Sequence, residues 1–286
     1  EGSDLCAYDI LSANAVFDEY HELLDSNALF ALFVNIMSAR TWIVKDAKTV
    51  IMSATPVDLK CVIPKMIIGE NTRYYPEYGA FYPPQHTVKY TMDIVDSVPE
   101  SLPPDTFAIF NTVREAQRHI SGKDTICHHS LFCKSDRERN ERSLFSHHGA
   151  FRDSEPVSVS ASPIMQASVD VSAANLYEST RWFADTVQRV GRCNRWGKNE
   201  SASVHFYFSP DPTENGSRII GSTESEKISK RIIAGWRALV REKIGNGKSE
   251  TLEWLYQLYF DFCRCNPDIR AFIKACYTEG RAHLTA

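Results

Sequence analysis

Three short groups of polar residues carry the chemistry that this sequence suggests. The first lies in residues 16–21, which read Val-Phe-Asp-Glu-Tyr-His and place Asp18 and Glu19 directly after an apolar run. At the end of a buried strand, one carboxylate can hold Mg²⁺ through water and the next can deprotonate an attacking water. This is the chemistry of Mg-nucleotide hydrolysis. An acidic turn at a helix N-terminus would have the same composition, so both interpretations stay open at this point.

The second group is Ser53-Ala54-Thr55, which follows the β-branched run 49–52. Small hydroxyl residues at the end of a strand can bridge a nucleotide site to a neighbouring domain. The structural alternative is that Thr55 caps a helix whose first residue is Pro56.

The third group is residues 188–197, which read Gln-Arg-Val-Gly-Arg-Cys-Asn-Arg-Trp-Gly. Arginine recurs at every third position, so a helical turn would place Arg192 and Arg195 on neighbouring positions. Guanidinium groups stabilise the charge of phosphoryl transfer, and a second domain can supply them as arginine fingers. A solvated basic helix face is the alternative, which Gln188 and Gly191 make less favourable.

The segments between these groups alternate between strand-like and helical patterns, which predicts an α/β fold with a parallel sheet. The predicted strands cover 13–17, 49–52, 107–110, 157–160 and 202–208. The predicted helices cover 23–37, 114–120, a helix starting at 186, 224–244, 251–263 and 269–277.

Two further segments have a distinct composition. Six prolines between 71 and 105 exclude a continuous helix and predict an extended connector that carries one strand over 87–94. Residues 134–142 mix both signs of charge and are predicted to be a solvated loop. The aromatic residues between 254 and 262 could stack nucleic-acid bases, but core packing is favoured.

The composition of the chain limits the classes of protein to which it can belong. A chain of 286 residues with 43% hydrophobic residues can form about two domains. The net charge of −4 argues against wholesale electrostatic binding of nucleic acid but permits a local basic groove. No apolar run is long enough to cross a membrane. The eight scattered cysteines indicate reduced thiols in a cytoplasmic protein.

The order of the three groups resembles that of a superfamily-2 DExH-box helicase, and most nearly the CRISPR-associated helicase of type I systems. Four segments carry the narrower likeness: 109–116, 129–137, 161–170 and 188–197. The resemblance implies RecA-like domains, ATP and Mg²⁺ as cofactors, and single-stranded DNA and a Cascade-type effector complex as partners. The activity implied is ATP-dependent DNA translocation in antiviral defence.

The resemblance also implies a role for each site residue. Asp18 would bind Mg²⁺ through water, Glu19 would activate water, and His21 would couple nucleotide state to nucleic acid. The other implied nucleotide or coupling residues are Ser53, Thr55, Asp170, Gln188, Arg192 and Arg195, with the last two as fingers. The residues implied to touch DNA phosphates are Asn111, Thr112, His129 and Ser130.

The sequence departs from the family pattern at several points. Residues 162–166 read Ser-Pro-Ile-Met-Gln where the family has Thr-Gln and then Glu, and Leu131 replaces a family arginine. No Gly-x-x-x-x-Gly-Lys-Ser/Thr loop and no HD nuclease signature occur. We therefore expect a C-terminal helicase fragment that does not hydrolyse ATP alone and works with a separate N-terminal helicase/HD nuclease portion.

The expected organisation is a remnant of the first RecA-like domain (1–75), the connector (76–105), the second RecA-like domain (106–209) and a helical segment (210–286). The sheet edge within residues 1–70 should be exposed. Asp18 and Glu19 should face Arg192 and Arg195 across one cleft. The alternatives are an inactive module that binds nucleic acid or an effector complex, and a different superfamily-2 helicase, including one that acts on RNA.

Overall fold

The computed structural model describes residues 13–43, 48–63, 86–120, 125–166, 169–209, 223–245 and 247–285. Residues 76–85 of the expected connector and residues 210–222 of the expected helical segment lie outside these ranges. The chain forms two compact units. The first unit combines Glu1–Glu77 with Ser222–Ile232 and Phe262–Ala286, and the second combines Tyr78–Gly221 with Ile233–Asp261.

The described strands of the first unit form a small parallel sheet. Strands β1 (Ala15–Phe17) and β2 (Thr49–Ile51) pair with Val16 opposite Val50. On one face Phe17 packs edge-on against Phe33, with ring centroids 5.0 Å apart. Val16 and Val50 belong to the other face and are 63% and 46% exposed. Buried parallel sheets normally have both faces covered, so this apolar face is unusual in being open.

Two helices support that sheet. Helix α1 (Asn27–Ile43) carries Phe33, and the C-terminal helix α7 (Pro267–Thr285) packs along α1. A Cβ added at Gly280 would lie 1.8 Å from the Asn27 carbonyl oxygen. The two helices therefore approach at a point where only glycine fits.

The second unit is built on a seven-stranded sheet, which confirms the predicted α/β class with a mostly parallel sheet. The strand order is β5-β6-β4-β7-β8-β3-β9, and β9 alone runs antiparallel. The strands are β3 (Lys89–Val95), β4 (Thr106–Ile109), β5 (Thr125–His128), β6 (Ser158–Ala161), β7 (Asn175–Ser179), β8 (Ala202–Tyr207) and β9 (Lys248–Thr251).

Helices connect and flank these strands. They are α2 (Val113–Arg118), α3 (Lys134–His148), α4 (Phe183–Val190), α5 (Glu224–Ile244) and α6 (Leu252–Cys265). Residue Tyr259 of α6 is fully buried and stacks on Phe183 with ring centroids 5.5 Å apart, which confirms core packing for that part of the aromatic stripe. No described helix is long and apolar enough to cross a lipid bilayer.

The prediction of a solvated loop over 134–142 is wrong, because these residues begin helix α3. Its mixed charges pair along the helix, with Arg139 to Asp136 at 2.8 Å and Lys134 to Glu138 at 3.9 Å. Farther along, Leu144 is fully buried and anchors the helix. Alternating charge on this segment therefore reflects the exposed face of a helix.

Candidate functional site

The acid group and the Ser-Ala-Thr group meet at one edge of the small sheet in the first unit. Glu19 follows β1 and Ser53 follows β2, and parallel strands end at the same edge. The Nδ1 atom of His21 lies 2.7 Å from the Ser53 hydroxyl and 3.2 Å from Glu19 Oε2. The Ser53 hydroxyl also lies 3.3 Å from Glu19 Oε2. We call Glu19, His21 and Ser53 the acid cluster.

The backbone at this point is unusual. Glu19 adopts a left-handed conformation with φ 49°, which is rare for a residue other than glycine. Its amide donates to Asp18 Oδ1 at 2.9 Å, and Tyr20 then begins a 3₁₀ turn. The Tyr20 hydroxyl donates to the Val57 carbonyl at 2.8 Å and accepts from the Val57 amide at 2.9 Å. These bonds tie the strained turn to the loop that follows β2.

The Thr55 side chain is buried, and its amide donates to the Ser53 hydroxyl at 3.0 Å. The alternative in which Thr55 caps a helix beginning at Pro56 is wrong, because the next helical residues are the short 3₁₀ segment Leu59–Cys61. The Ser53 side chain instead closes a short turn by accepting a hydrogen bond from the backbone amide two residues later. That turn fixes its hydroxyl beside His21.

Electrostatics favour an ionised Glu19. The hydrogen bond from His21 is the main cause that lowers the pKa of Glu19, and it outweighs the opposing effect of partial burial. Asp18 is exposed. Ionised carboxylate oxygens suit Mg²⁺, which keeps much of its own water. The described residues contain no group of three or more His, Cys, Asp or Glu side chains that could hold a metal ion.

The arginine group lies at the amino-terminal edge of the large sheet. Helix α4 ends at Val190, and Cys193 forms a parallel bridge with Ala173 just ahead of β7. The prediction that Arg192 and Arg195 stack on a helical turn is therefore wrong, because the helix ends before both.

The two arginines are instead held by a loop that precedes β7. Arg195 Nε lies 2.6 Å from Asp170 Oδ1, and the Arg195 amide donates to the Ser172 hydroxyl at 2.8 Å. Arg192 donates to the Val169 carbonyl. The Asp170 side chain is 60% exposed and that of Arg195 is 37% exposed, so this pair remains open to solvent. Gln188 lies in the last turn of α4 and is half-buried.

The residues expected to touch DNA lie at the opposite, carboxyl-terminal edge of the same sheet. Asn111 and Thr112 follow β4, and His129 and Ser130 follow β5. Ser130 is exposed, whereas His129 is buried and stacks on Phe132 with ring centroids 3.9 Å apart. Thr112 is half-buried and accepts a bond from the Glu115 amide at 3.2 Å as the N-cap of α2.

Asn111 is only 7% exposed and takes part in a buried network that sequence reasoning missed. Its side chain donates to the Ser179 hydroxyl at 2.9 Å and accepts from Arg189 at 3.0 Å. Arg189 also pairs with Glu178 at 3.3 Å, and both side chains are fully buried. Burial raises the pKa of Glu178, while Arg189 and Thr180 oppose that rise. Arg189 therefore ties α4 to β7 and holds Asn111 in place.

Little in the sequence signalled this network. Arg189 counts as one of three periodic arginines, and its burial is invisible without the neighbouring strand. Glu178 lies in Asn-Leu-Tyr-Glu-Ser, which is too polar to be recognised as a buried strand.

A family model for the C-terminal region of the CRISPR-associated nuclease/helicase Cas3 matches residues 104–198. This match confirms the resemblance predicted from the motif order. The matched region holds the second-unit residues just described, from Asn111 to Arg195. No curated protein sequence matches the chain.

Solved structures with a similar fold include T. fusca Cas3, with a TM-score of 0.65 and 14% identity over 96% of this chain and 39% of that chain. T. fusca Cas3-ATP gives a TM-score of 0.60 and 16% identity over 95% and 37% of the two chains. A CRISPR RNA-guided surveillance complex, pre-nicking, gives 0.58 and 14% over 94% and 39%. At these identities the likeness establishes the fold, and the chain spans under two-fifths of each matched chain.

Proposed function

We propose that this chain, whose residues 104–198 match the Cas3-like C-terminal family, is part of an ATP-dependent DNA translocase in type I CRISPR antiviral defence. Its partners would be single-stranded DNA and a Cascade-type effector complex in the cytoplasm. Three features support the proposal: the order of the motifs, the family match and the RecA-like fold.

The observation that carries the proposal is that the candidate site residues of the large sheet form two groups, one at each end of its parallel strands. Asp170, Arg192 and Arg195 lie before the amino end of β7, and the segments after β4 and β5 lie at the carboxyl ends. We assign the first edge to nucleotide phosphates and the second to the DNA backbone. Because both edges belong to the same rigid sheet, a movement driven at one edge is transmitted to the other.

The acid cluster would serve the nucleotide. Asp18 would hold Mg²⁺ through water, and the bound metal supplies charge neutralisation for the phosphates. Glu19 would accept the proton of the attacking water, since its carboxylate is ionised near neutral pH and 42% exposed. His21 and Ser53 orient the Glu19 carboxylate, and Thr55 fixes Ser53. Nucleotide-dependent shifts of Glu19 would then reach the loop after β2.

We also propose that hydrolysis requires a phosphate loop supplied by another polypeptide, since this sequence contains no Gly-x-x-x-x-Gly-Lys-Ser/Thr segment. In that arrangement, 1–75 is the remnant of the first RecA-like domain, 76–105 the connector, 106–209 the second domain and 210–286 the helical segment. A separate N-terminal helicase/HD nuclease portion would supply the loop, whose lysine and backbone amides bind the β and γ phosphates.

Phosphate release from ATP with Mg²⁺ and single-stranded DNA tests the proposal. The chain alone should give no turnover, and adding a polypeptide that bears the loop should give DNA-stimulated turnover that Glu19→Gln abolishes. Turnover by the chain alone would contradict the requirement for a separate loop. DNA binding without turnover in every combination would favour the alternative, an inactive module that binds nucleic acid or an effector complex. Turnover stimulated by RNA and not by DNA would indicate a different superfamily-2 helicase.

A further inference from the structure

An aromatic and cationic cluster lies at the carboxyl end of β8, outside every motif discussed above. Phe208 follows β8, and α5 places two arginines over its ring. The guanidinium carbon of Arg241 is 4.2 Å from the ring centroid, and that of Arg237 is 6.0 Å from it. We call these three residues the Phe208 clamp. All three belong to the second unit.

The clamp is fixed to the sheet edge by backbone contacts. Arg237 Nε donates to the Thr180 carbonyl at 2.9 Å, and the Thr180 amide donates to the Tyr207 carbonyl at 2.8 Å. Trp236 is fully buried and donates to the Thr186 hydroxyl at 3.2 Å, which docks α5 on α4. The Phe208 ring and the Arg237 guanidinium are therefore held at the ends of β7 and β8.

Arg241 has different contacts from Lys243 on the same helix. It is exposed and, within the part of the chain that the structure describes, makes the contact with Phe208 and no ion pair. Lys243, two residues on, is paired with Glu242 at 2.8 Å. A guanidinium stacked by its face on an aromatic ring keeps its edge N–H donors available, and their planar arrangement matches a phosphate.

The position of the clamp continues the edge that we assign to DNA. In the sheet, β8 is two strands from β4, which carries Asn111 and Thr112 at its end. Two strand spacings amount to about 10 Å, a distance that a few nucleotides of a single strand can cover. The nearby acid Glu115 is engaged, since it accepts bonds from Thr112 and from Ser209 at 3.0 Å each.

We propose that the Phe208 clamp binds the phosphate backbone of single-stranded DNA, with Arg241 as the contacting residue and Arg237 and Phe208 as its support. This inference rests on the proposed function and adds a contact beyond Thr112 and Ser130. A cluster built from a stacked arginine and an aromatic ring recognises backbone and not base sequence. The clamp should thus strengthen binding to strands of any sequence.

Fluorescence anisotropy with a labelled thymidine oligonucleotide tests the clamp on the full chain. Arg241→Ala should weaken binding roughly tenfold at low salt, and the slope of log affinity against log salt should fall by about 0.7, the value for one phosphate contact on a single strand. Lys243→Ala removes the same charge from the same helix and should keep the wild-type slope. Arg241→Lys keeps the charge, loses the planar stack and should give an intermediate affinity.

The outcomes separate this inference from the proposed function. Suppose that Arg241→Ala and Lys243→Ala bind the oligonucleotide equally well, while the double variant Thr112→Ala/Ser130→Ala binds it more weakly. The proposed role of the Phe208 clamp is then wrong, and the assignment of the carboxyl-terminal edge to DNA stands. If the wild-type chain binds no single strand even at low salt, both proposals are wrong. Thermal melting followed by circular dichroism should show Arg241→Ala folded like the wild type, because the residue is exposed.

Discussion

A carboxylate lies beside a cationic or potentially cationic group in both units, but the surroundings are opposite. In the second unit, Glu178 and Arg189 are both fully buried, 3.3 Å apart, in the middle of a seven-stranded sheet. In the first, Glu19 is 42% exposed, 3.2 Å from His21, at the end of two short strands. The Glu178–Arg189 pair holds a helix on a strand, whereas the Glu19–His21 pair leaves its carboxylate accessible to solvent and ligand.

The difference shows how burial separates a positioning residue from a reactive one. A buried ion pair is stable only when hydrogen bonds satisfy both groups, as Asn111, Ser179 and Thr180 do for the Glu178–Arg189 pair. The half-exposed Glu19 carboxylate is ionised and accessible to solvent. Arg189, which shares the three-residue spacing of Arg192 and Arg195, is thus a structural residue.

The largest effect is expected from Arg189→Ala. It leaves the fully buried Glu178 without its charge partner, which should cost about 3–5 kcal/mol of unfolding free energy in the second unit. Urea denaturation measures this. The matched control is Arg139→Ala, which breaks the exposed pair with Asp136 and should cost under about 1 kcal/mol. Equal losses for the two variants would contradict the contrast between buried and exposed pairs.

A smaller effect is expected from Tyr20→Phe in the first unit. The lost hydroxyl makes two buried bonds with the Val57 backbone, so we expect a loss of about 1–3 kcal/mol. Tyr277→Phe removes an exposed hydroxyl that contacts Asn35 at 3.4 Å and should be nearly neutral. Denaturation monitored by circular dichroism compares the two. If Tyr20→Phe is as mild as the control, the Tyr20 hydroxyl does not anchor the Glu19 turn.

A pH-dependent effect is expected from Glu19→Gln. The pKa of Glu19 is lowered from 4.5 in the folded chain, so its carboxylate stabilises the fold above that value, and this contribution is lost as the pH falls through the lowered pKa. Stability curves of the wild type and Glu19→Gln should therefore differ at neutral pH and converge in acid. The exposed neighbour Glu22, changed to Gln, serves as the charge control. Parallel curves at all pH values would show that Glu19 is not held ionised by His21.

The smallest effect on stability is expected from Arg195→Ala. Its partner Asp170 is 60% exposed, and an ion pair of this kind contributes about 0–1 kcal/mol. Thermal unfolding should thus be almost unchanged, in contrast to Arg189→Ala. A large loss would mean that Arg195 supports the fold, which would remove the reason for assigning it to a ligand.

The sequence was informative where one local period dominates. Helix α5 was predicted over 224–244 because Ile232, Trp236 and Val240 recur on one face, and the structure confirms those bounds. The meeting of Glu19 with Ser53 was also predictable, since parallel strands end at a common edge.

Other features depend on contacts that no local pattern contains. Strand β7 was missed because its Glu178 is tolerated only through Arg189 on the next helix. The position of Arg192 and Arg195 was wrong because α4 ends at Val190. The left-handed turn at Glu19 is stabilised by contacts to the distant Val57 loop, so the residues next to Glu19 in the sequence do not predict it.

Our proposal requires both Glu19 and Arg195 for ATP turnover. Its most direct test is ATP turnover by this chain joined to a Gly-x-x-x-x-Gly-Lys-Ser/Thr segment, with single-stranded DNA present. We expect DNA-stimulated turnover that falls by at least about a hundredfold in Glu19→Gln and in Arg195→Ala alike, while both variants stay folded. Turnover that either variant leaves at the wild-type rate would contradict it.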